Sequence, residues 1–465
     1  MDKKAKTLRE LKKSGYESKP VKKEIRDNAL VRIKSGVPLV ENVSGYETTV
    51  LPALEVALLS GHDVIFLGER GQAKTRIIRS LVSLLDEWMP IVAGSELNDD
   101  PMAPTSHYGV EKVAEMGEET PIDWIHRSKR YSEKLATPDT SMADLIGEVD
   151  PIKVAEGRYL SDEFTIHYGL VPRTNRGIFA INELPDLAER IQVGLLNLLE
   201  ERDVQIRGYK IRLELDLMFL ATANPEDYTN RGRLITPLKD RFGTQIRTHY
   251  PRTLETEIEI MKQESSELAM GVDIHVPQFM SEIIAEISQL ARQSSSINQR
   301  SGVSVRMSVS NYETMVSSAV RRALLLAEEQ AIPRISDLWA LASSISGKIE
   351  IDAFEVEVEK ELIPRLVTSA VLNVFRRRFG VDQLREVVAF FDAGDVVEVG
   401  TSVASEDYVK LVNRIPGLSR AVQKLDDGTP GAVASSLELV FDGLHYSKKL
   451  NKREQLGRIG YFTKG

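Results

Sequence analysis

The sequence predicts an α/β domain with a mostly parallel five-stranded sheet, followed by an all-helical lid and a further helical C-terminal region. Three observations predict it. As far as residue 250, short apolar runs of strand length alternate with segments that are apolar at helical spacing. The first of those runs ends in a glycine-containing loop that opens a helix. After Tyr250 and Pro251 the strand pattern stops and helical spacing alone remains.

Residues 1–35 form a basic, polar lead-in carrying Lys3, Lys4, Lys6, Lys12, Lys13, Lys22 and Lys23. It reads either as a solvated tail or helix, or as a basic arm for an acidic partner. The α/β domain spans 36–250. Leu51, Leu54, Val56, Ala57, Leu58 and Leu59 predict a helix that ends at Gly61. Val64 to Leu67 are all apolar and predict a buried strand, and Ile91 to Ala93 predict a second. Residues 95–140 read as irregular, with His107 and His126 at no metal-ligand spacing. Gly177 to Glu183 predict a third strand, then a helix with Leu187, Ile191, Leu195, Leu198 and Leu199 on one face. In residues 204–217, Ile211, Leu213, Leu215 and Leu217 alternate with Arg212, Glu214 and Asp216, which with Gly208 at the turn predicts a β-hairpin. Met218 to Thr222 continue as a core strand ending at Asn224 and Pro225, and residues 244–247 supply the fifth. The lid spans 251–380, with helices at 309–329 and 355–378. The last region, 381–465, has helices at 406–414 and 431–443.

A chain of 465 residues, 42% hydrophobic, can bury more than one core. It has no cysteine, which excludes disulfides, iron–sulfur clusters and Cys-ligated zinc and is compatible with a reducing cytoplasm. No run of about 18 apolar residues occurs, so no membrane-spanning helix is expected. The N-terminus leads into charged residues rather than an apolar signal core. The net charge of -9 argues against nucleic-acid binding by the surface as a whole.

The chemistry centres on Gly68, Glu69, Arg70, Gly71, Gln72, Ala73, Lys74 and Thr75, between the first strand and its helix. Strand, glycine-containing loop, Lys-Thr and helix in that order predict a phosphate-binding loop. Backbone N–H groups would face the phosphates, Lys74 would reach the β- and γ-phosphates of ATP, and the Thr75 hydroxyl would hold Mg²⁺. The residue before the lysine is usually a second glycine. Ala73 is acceptable there if that position already has helical φ/ψ. Asn182 and Glu183 end the third strand, where a Walker B acid pair would lie. Glu183 can polarise the water that attacks the γ-phosphate, and Asn224, at the tip of the next core strand, can orient it. Arg241 is a candidate arginine finger, a role worth ~10³–10⁵ in rate when well placed. Ligands bind such sheets at the carboxyl ends of the strands, where Gly68, Asn182, Glu183 and Asn224 all fall.

Together these motifs resemble the AAA+ ATPases, and among them the clade of magnesium-chelatase I subunits and MoxR-like ATPases, over residues 36–330. Gly68 to Thr75 is similar to the MoxR-like form of Walker A, with alanine before the lysine. Asp144 to Asp150 and Gly169 to Gly177 resemble the clade's insert within the second helix, and 204–217 its hairpin before sensor 1. On that resemblance Asn224 falls on sensor 1, Arg241 on the arginine-finger segment and Arg306 on sensor 2, whose arginine contacts the γ-phosphate.

The resemblance implies a homo-hexameric ring in which the finger acts on a neighbour's nucleotide. It implies a partner bearing a von Willebrand A domain, and ATP-driven remodelling, complex maturation or metal insertion. Two alternatives stand beside it: a true magnesium chelatase motor for porphyrin metallation, and a nucleotide-gated scaffold with little hydrolysis. The second rests on Asn182, which stands where Walker B normally has aspartate. Asparagine keeps a carbonyl acceptor for the metal's shell but loses the charge, so Mg²⁺ should be held less tightly.

Overall fold

The computed structural model of the chain describes residues 5–149, 165–200, 203–205, 212–224, 233–265, 271–298, 302–351, 356–426, 428–455 and 457–463. The chain divides into two compact units, Met1–His249 and Tyr250–Gly465. Among the described residues, no helix is long and apolar enough to cross a membrane.

The first unit is built on five parallel strands: β1 (Val64–Leu67), β2 (Tyr131–Leu135), β3 (Gly177–Asn182), β4 (Leu217–Ala223) and β5 (Thr244–Arg247). They lie in the order β5-β1-β4-β3-β2. The register runs Val64 against both Leu220 and Thr244, Leu217 against Gly177, and Tyr131 against Ile178. Chain order reverses at β1, which has later strands on both sides, and this is where such sheets open a crevice at their carboxyl edge.

The central strands read as unbroken apolar runs because both faces of the sheet are covered. Ile65, Leu67, Phe179, Ile181, Leu217 and Phe219 enter one core. Val64, Phe66, Ile178, Ala180, Met218 and Leu220 enter the other. Alternate residues of one strand thus serve opposite cores, as the two-residue strand repeat requires.

Ile91–Ala93 does not belong to this sheet. Trp88–Val92 pairs antiparallel with Ile122–His126 in a separate ribbon. The second strand of the sheet is β2, from the stretch read as irregular. As an edge strand it is only partly covered and carries Ser132, Glu133 and Lys134, so no apolar run marks it.

The lead-in is not a solvated tail. Helices α1 (Leu8–Lys13) and α2 (Val21–Ser35) are part of the unit, with Leu11, Val21, Ile25 and Ala29 fully buried. Glu24 on α2 receives two hydrogen bonds from Arg130, at 2.7 and 2.6 Å, and both side chains are buried. The N–H of Val21 donates to Asp216 at 2.7 Å, and Trp124 Nε1 donates to the Ala5 carbonyl at 2.9 Å. Helices α3 (Val50–Ser60) and α4 (Lys74–Ser80) flank β1, and Gly61 closes α3 with φ 69.

Beyond β3 the predicted single helix is divided into a 3-10 turn at Leu184–Asp186 and helices at Glu189–Gly194 and Leu196–Glu200. Asp203–Gln205 pairs antiparallel with Arg212–Glu214, the two sides of the predicted hairpin. Its turn at Gly208 lies outside the described residues, as do Asp150 and Pro225. Helix α5 (Thr236–Arg241) leads into β5.

The second unit is mainly helical: α6 (Leu254–Glu264), α7 (Gln278–Gln293), α8 (Val305–Leu326), α9 (Val356–Arg378), α10 (Ser405–Arg414) and α11 (Pro430–Tyr446). A single core runs from Ile258 on α6 through Phe375 and Phe441 to Tyr461. The unit also holds a three-stranded antiparallel sheet, with Arg458–Phe462 between Val397–Val399 and Asn451–Gln455. Gly457, at φ 75, permits the tight turn between the last two strands.

Candidate nucleotide site

The loop from Gly68 to Ala73 joins the carboxyl end of β1 to α4. Gly68 is the residue that fits there. Its N–H donates to the Ala223 carbonyl at 3.1 Å, and the space a Cβ would take is filled by Thr248 and Gln72 side-chain oxygens. Gly71 has φ 75. Lys74 is buried, and its ammonium donates to the carbonyls of Gly68 and of Glu69, the latter at 2.7 Å. Arg70 is exposed beside it.

Ala73 departs from expectation. It is not helical but left-handed, with φ 54 and ψ 11, as a glycine would be. For a residue with a Cβ that conformation costs about 1–2 kcal/mol, so the surrounding contacts must hold it. Gln72, next to it, supplies such contacts. Its side chain is buried and its Oε1 accepts from Thr248 Oγ1 at 2.6 Å, while Thr248 N–H donates to the Leu67 carbonyl at 2.9 Å.

Four predicted residues lie at the start of α4 and at the ends of β3 and β4. Thr75 Oγ1 donates to Asn182 Oδ1 at 3.3 Å. Glu183, directly after β3, is also left-handed, at φ 55 and ψ 49. Its N–H donates to Thr222 Oγ1 at 3.0 Å, and the same hydroxyl lies 3.5 Å from Asn182 Oδ1. Asn224 is buried and follows Ala223, the register partner of Leu67 at the loop's root. A buried ammonium in a glycine loop, with a hydroxyl and an amide oxygen beside it, suits polyphosphate and a hard cation such as Mg²⁺.

No family model matches the chain. Curated relatives do. The magnesium-chelatase subunit ChlI of Anabaena variabilis is 27% identical over 235 residues, covering 50% of this chain and 64% of its own length. The magnesium-chelatase 38 kDa subunit of Cereibacter sphaeroides is 27% identical over 215 residues, covering 44% and 56%. The chloroplastic ChlI-1 subunit of Arabidopsis thaliana is 28% identical over 207 residues, covering 43% and 45%. Over about half its length the chain is thus similar to the I subunits of magnesium chelatase. It spans less than two thirds of the length of these relatives. Among solved structures, the BchI–BchD complex of magnesium chelatase is matched at a TM-score of 0.36 and 20% identity, over 69% of this chain and 98% of that one. NtrX from Brucella abortus in complex with ADP is matched at 0.37 and 13%, over 68% and 59%.

The other two predicted residues, Arg241 and Arg306, lie elsewhere. Arg241 ends α5, three residues before β5 begins beside Val64, so it stands at the amino edge of the sheet while the loop after β1 stands at the carboxyl edge. Its guanidinium donates to Glu200 and, at 2.9 Å, to the Pro237 carbonyl. Arg306 is exposed on the first turn of α8, in the second unit, where the Ser304 side chain accepts from its N–H.

The sequence reading missed Thr222, Gln72's tie to Thr248, and Tyr46. Tyr46 is buried beneath the loop, and burial pushes its phenol up to about 12. Thr222 had a signal: a threonine inside an otherwise apolar strand, two positions before Asn224. Tyr46 and Thr248 had none, since their partners are far away in sequence.

Proposed function

We propose that the chain is a ring-forming AAA+ ATPase of the MoxR and magnesium-chelatase type, which couples ATP hydrolysis to maturation of, or metal insertion into, a protein partner. The observation that carries this reading is the approach of Thr75 Oγ1 to Asn182 Oδ1 beside the buried Lys74. It brings together at the loop the two residues that this reading assigns to Mg²⁺. Lys74 would neutralise the β- and γ-phosphates, and Thr75 with Asn182 would support Mg²⁺. When bound, that ion withdraws charge from the phosphate oxygens.

Glu183 accepts a proton from water as its oxygen bonds to the γ-phosphorus and the bond to the departing ADP oxygen breaks. Asn224 orients that water. Arg241, at the opposite edge of its own sheet, serves a neighbouring subunit's nucleotide in a homo-hexamer, and Arg306 acts as the lid's γ-phosphate contact. The partner in this reading carries a von Willebrand A domain, and the assembly works in the cytoplasm. The curated relatives' names favour a magnesium-chelatase motor as the specific variant.

A second reading is favoured by Asn182. A neutral oxygen in the metal's shell suits a nucleotide-gated scaffold that binds ATP and turns it over slowly. Steady-state ATPase measurement on the assembled ring, across a Mg²⁺ titration, separates the two. Capture with Glu183→Gln in ATP tests the partner: recovery of a von Willebrand A protein supports the remodelling reading, and recovery of a porphyrin-binding subunit supports the chelatase one.

A further inference from the structure

Tyr46 stands in the segment before α3, with its ring edge against His249 at 5.0 Å between centroids and 81° between planes. Its hydroxyl lies 3.0 Å from the Gln72 carbonyl and 2.8 Å from the His249 carbonyl. A phenol has one proton to give, and both of these partners only accept. The hydroxyl therefore divides one donor between the phosphate loop and the last residue of the α/β unit. A phenol keeps its proton at neutral pH, and burial holds this one more tightly still, at about 12.

The same two elements meet a second time. Thr248 Oγ1 donates to the Gln72 side chain at 2.6 Å. Gln72 is thus held by its side chain through Thr248 and by its backbone through Tyr46, and Tyr46 also holds His249. Fixing the Gln72 carbonyl fixes the plane of the peptide to Ala73. In a trans peptide the N–H lies opposite the carbonyl, so the Ala73 N–H is directed away from Tyr46. The left-handed φ of 54 at Ala73 follows directly on that plane.

We propose that Tyr46 is a positioning residue for nucleotide: its shared proton sets the Gln72–Ala73 peptide for phosphate and links that setting to the point where the chain leaves the α/β unit at His249. The proposal rests on the ATP reading above. Phosphate binding at the loop and the state of the 248–250 segment are then coupled through one hydroxyl. The Thr49 hydroxyl meets the His249 ring at 2.9 Å from Nε2 rather than the Gln72 carbonyl, so it serves as the control.

The test uses the full chain, with Mg²⁺ and ATP, and the variants Tyr46→Phe and Thr49→Val. Phenylalanine keeps the ring against His249 and removes only the hydroxyl. ATP affinity by calorimetry should fall about five- to tenfold in Tyr46→Phe, the loss expected for one neutral buried hydrogen bond. KM for ATP should rise in step, with kcat changed by less than about twofold. Binding of ATP should alter amide exchange of residues 250–254 in the wild type and fail to do so in Tyr46→Phe. Thr49→Val should retain wild-type affinity. Unchanged affinity and exchange response in Tyr46→Phe overturn the proposal, as does an equal loss in Thr49→Val. A wild-type chain that binds no ATP overturns the nucleotide reading and this proposal with it, which distinguishes that failure from the first two.

Discussion

Thr75 Oγ1 donates to Asn182 Oδ1 at 3.3 Å, joining the first turn of α4 to the end of β3. The contact sets Asn182, proposed to stand in the Walker B aspartate position, against the hydroxyl proposed to bind Mg²⁺. Asn182→Asp adds one negative charge there at nearly the same size, and hard cations prefer anionic oxygen. The Mg²⁺ concentration for half-maximal ATPase activity should fall by roughly three- to tenfold, without loss of turnover at saturating Mg²⁺. An unchanged or higher requirement in a Mg²⁺ titration contradicts the placement of Asn182 in the metal's shell.

Ala73 occupies φ 54, a region glycine enters freely. Ala73→Gly relieves the Cβ strain but loosens the unfolded chain, and the two effects partly cancel. The variant should be more stable by up to about 1 kcal/mol and should bind ATP as well as the parent does. Thermal melting and calorimetry check this, and a clear drop in Tm would count against the left-handed assignment.

Glu24 and Arg130 form a buried, two-bond ion pair between α2 and the residue preceding β2. Removing one member leaves a buried charge without its counter-ion, which destabilises a fold by about 3–5 kcal/mol. Glu24→Ala should lower stability by that amount in a urea titration. A change below about 1 kcal/mol would return the N-terminal segment to the status of a surface appendage.

Much of this arrangement was legible in the sequence, where the signal is local. The glycine loop after β1, the strand ending in Asn182, and the strand leading to Asn224 each carry a short apolar run and its punctuation. Helices α9 and α10 follow from apolar spacing alone. What escaped has a common physical character. Strand β2 is an edge strand with charged residues, so burial leaves no run to read. Glu24 and Arg130 are 106 residues apart, and Thr248 and Gln72 are 176 apart. Pairings of that kind carry no local pattern. The helical conformation that would make alanine acceptable at position 73 is absent, and the left-handed one found there has no mark in the residue type.

Arg241 and Glu183 stand at opposite edges of the same sheet, which in a ring suits service of two different nucleotides. Glu183→Gln and Arg241→Ala rings should each be nearly inactive. Co-assembled rings should regain a fraction of wild-type turnover, because some interfaces then pair an intact Glu183 with an intact Arg241. Rings verified as mixed by mass spectrometry that show no recovery would argue against a finger acting between subunits.

The central claim is that Lys74, in the loop after β1, binds the phosphates of ATP. Calorimetric titration of Mg²⁺·ATP into the full chain, beside Lys74→Ala, tests it most directly. Losing the ammonium removes the charge-assisted bonds to the β- and γ-phosphates, so affinity should fall by about a hundredfold or more. Saturable ATP binding in the wild type that vanishes in Lys74→Ala is the predicted result, and equal ATP affinity in the two chains would contradict it.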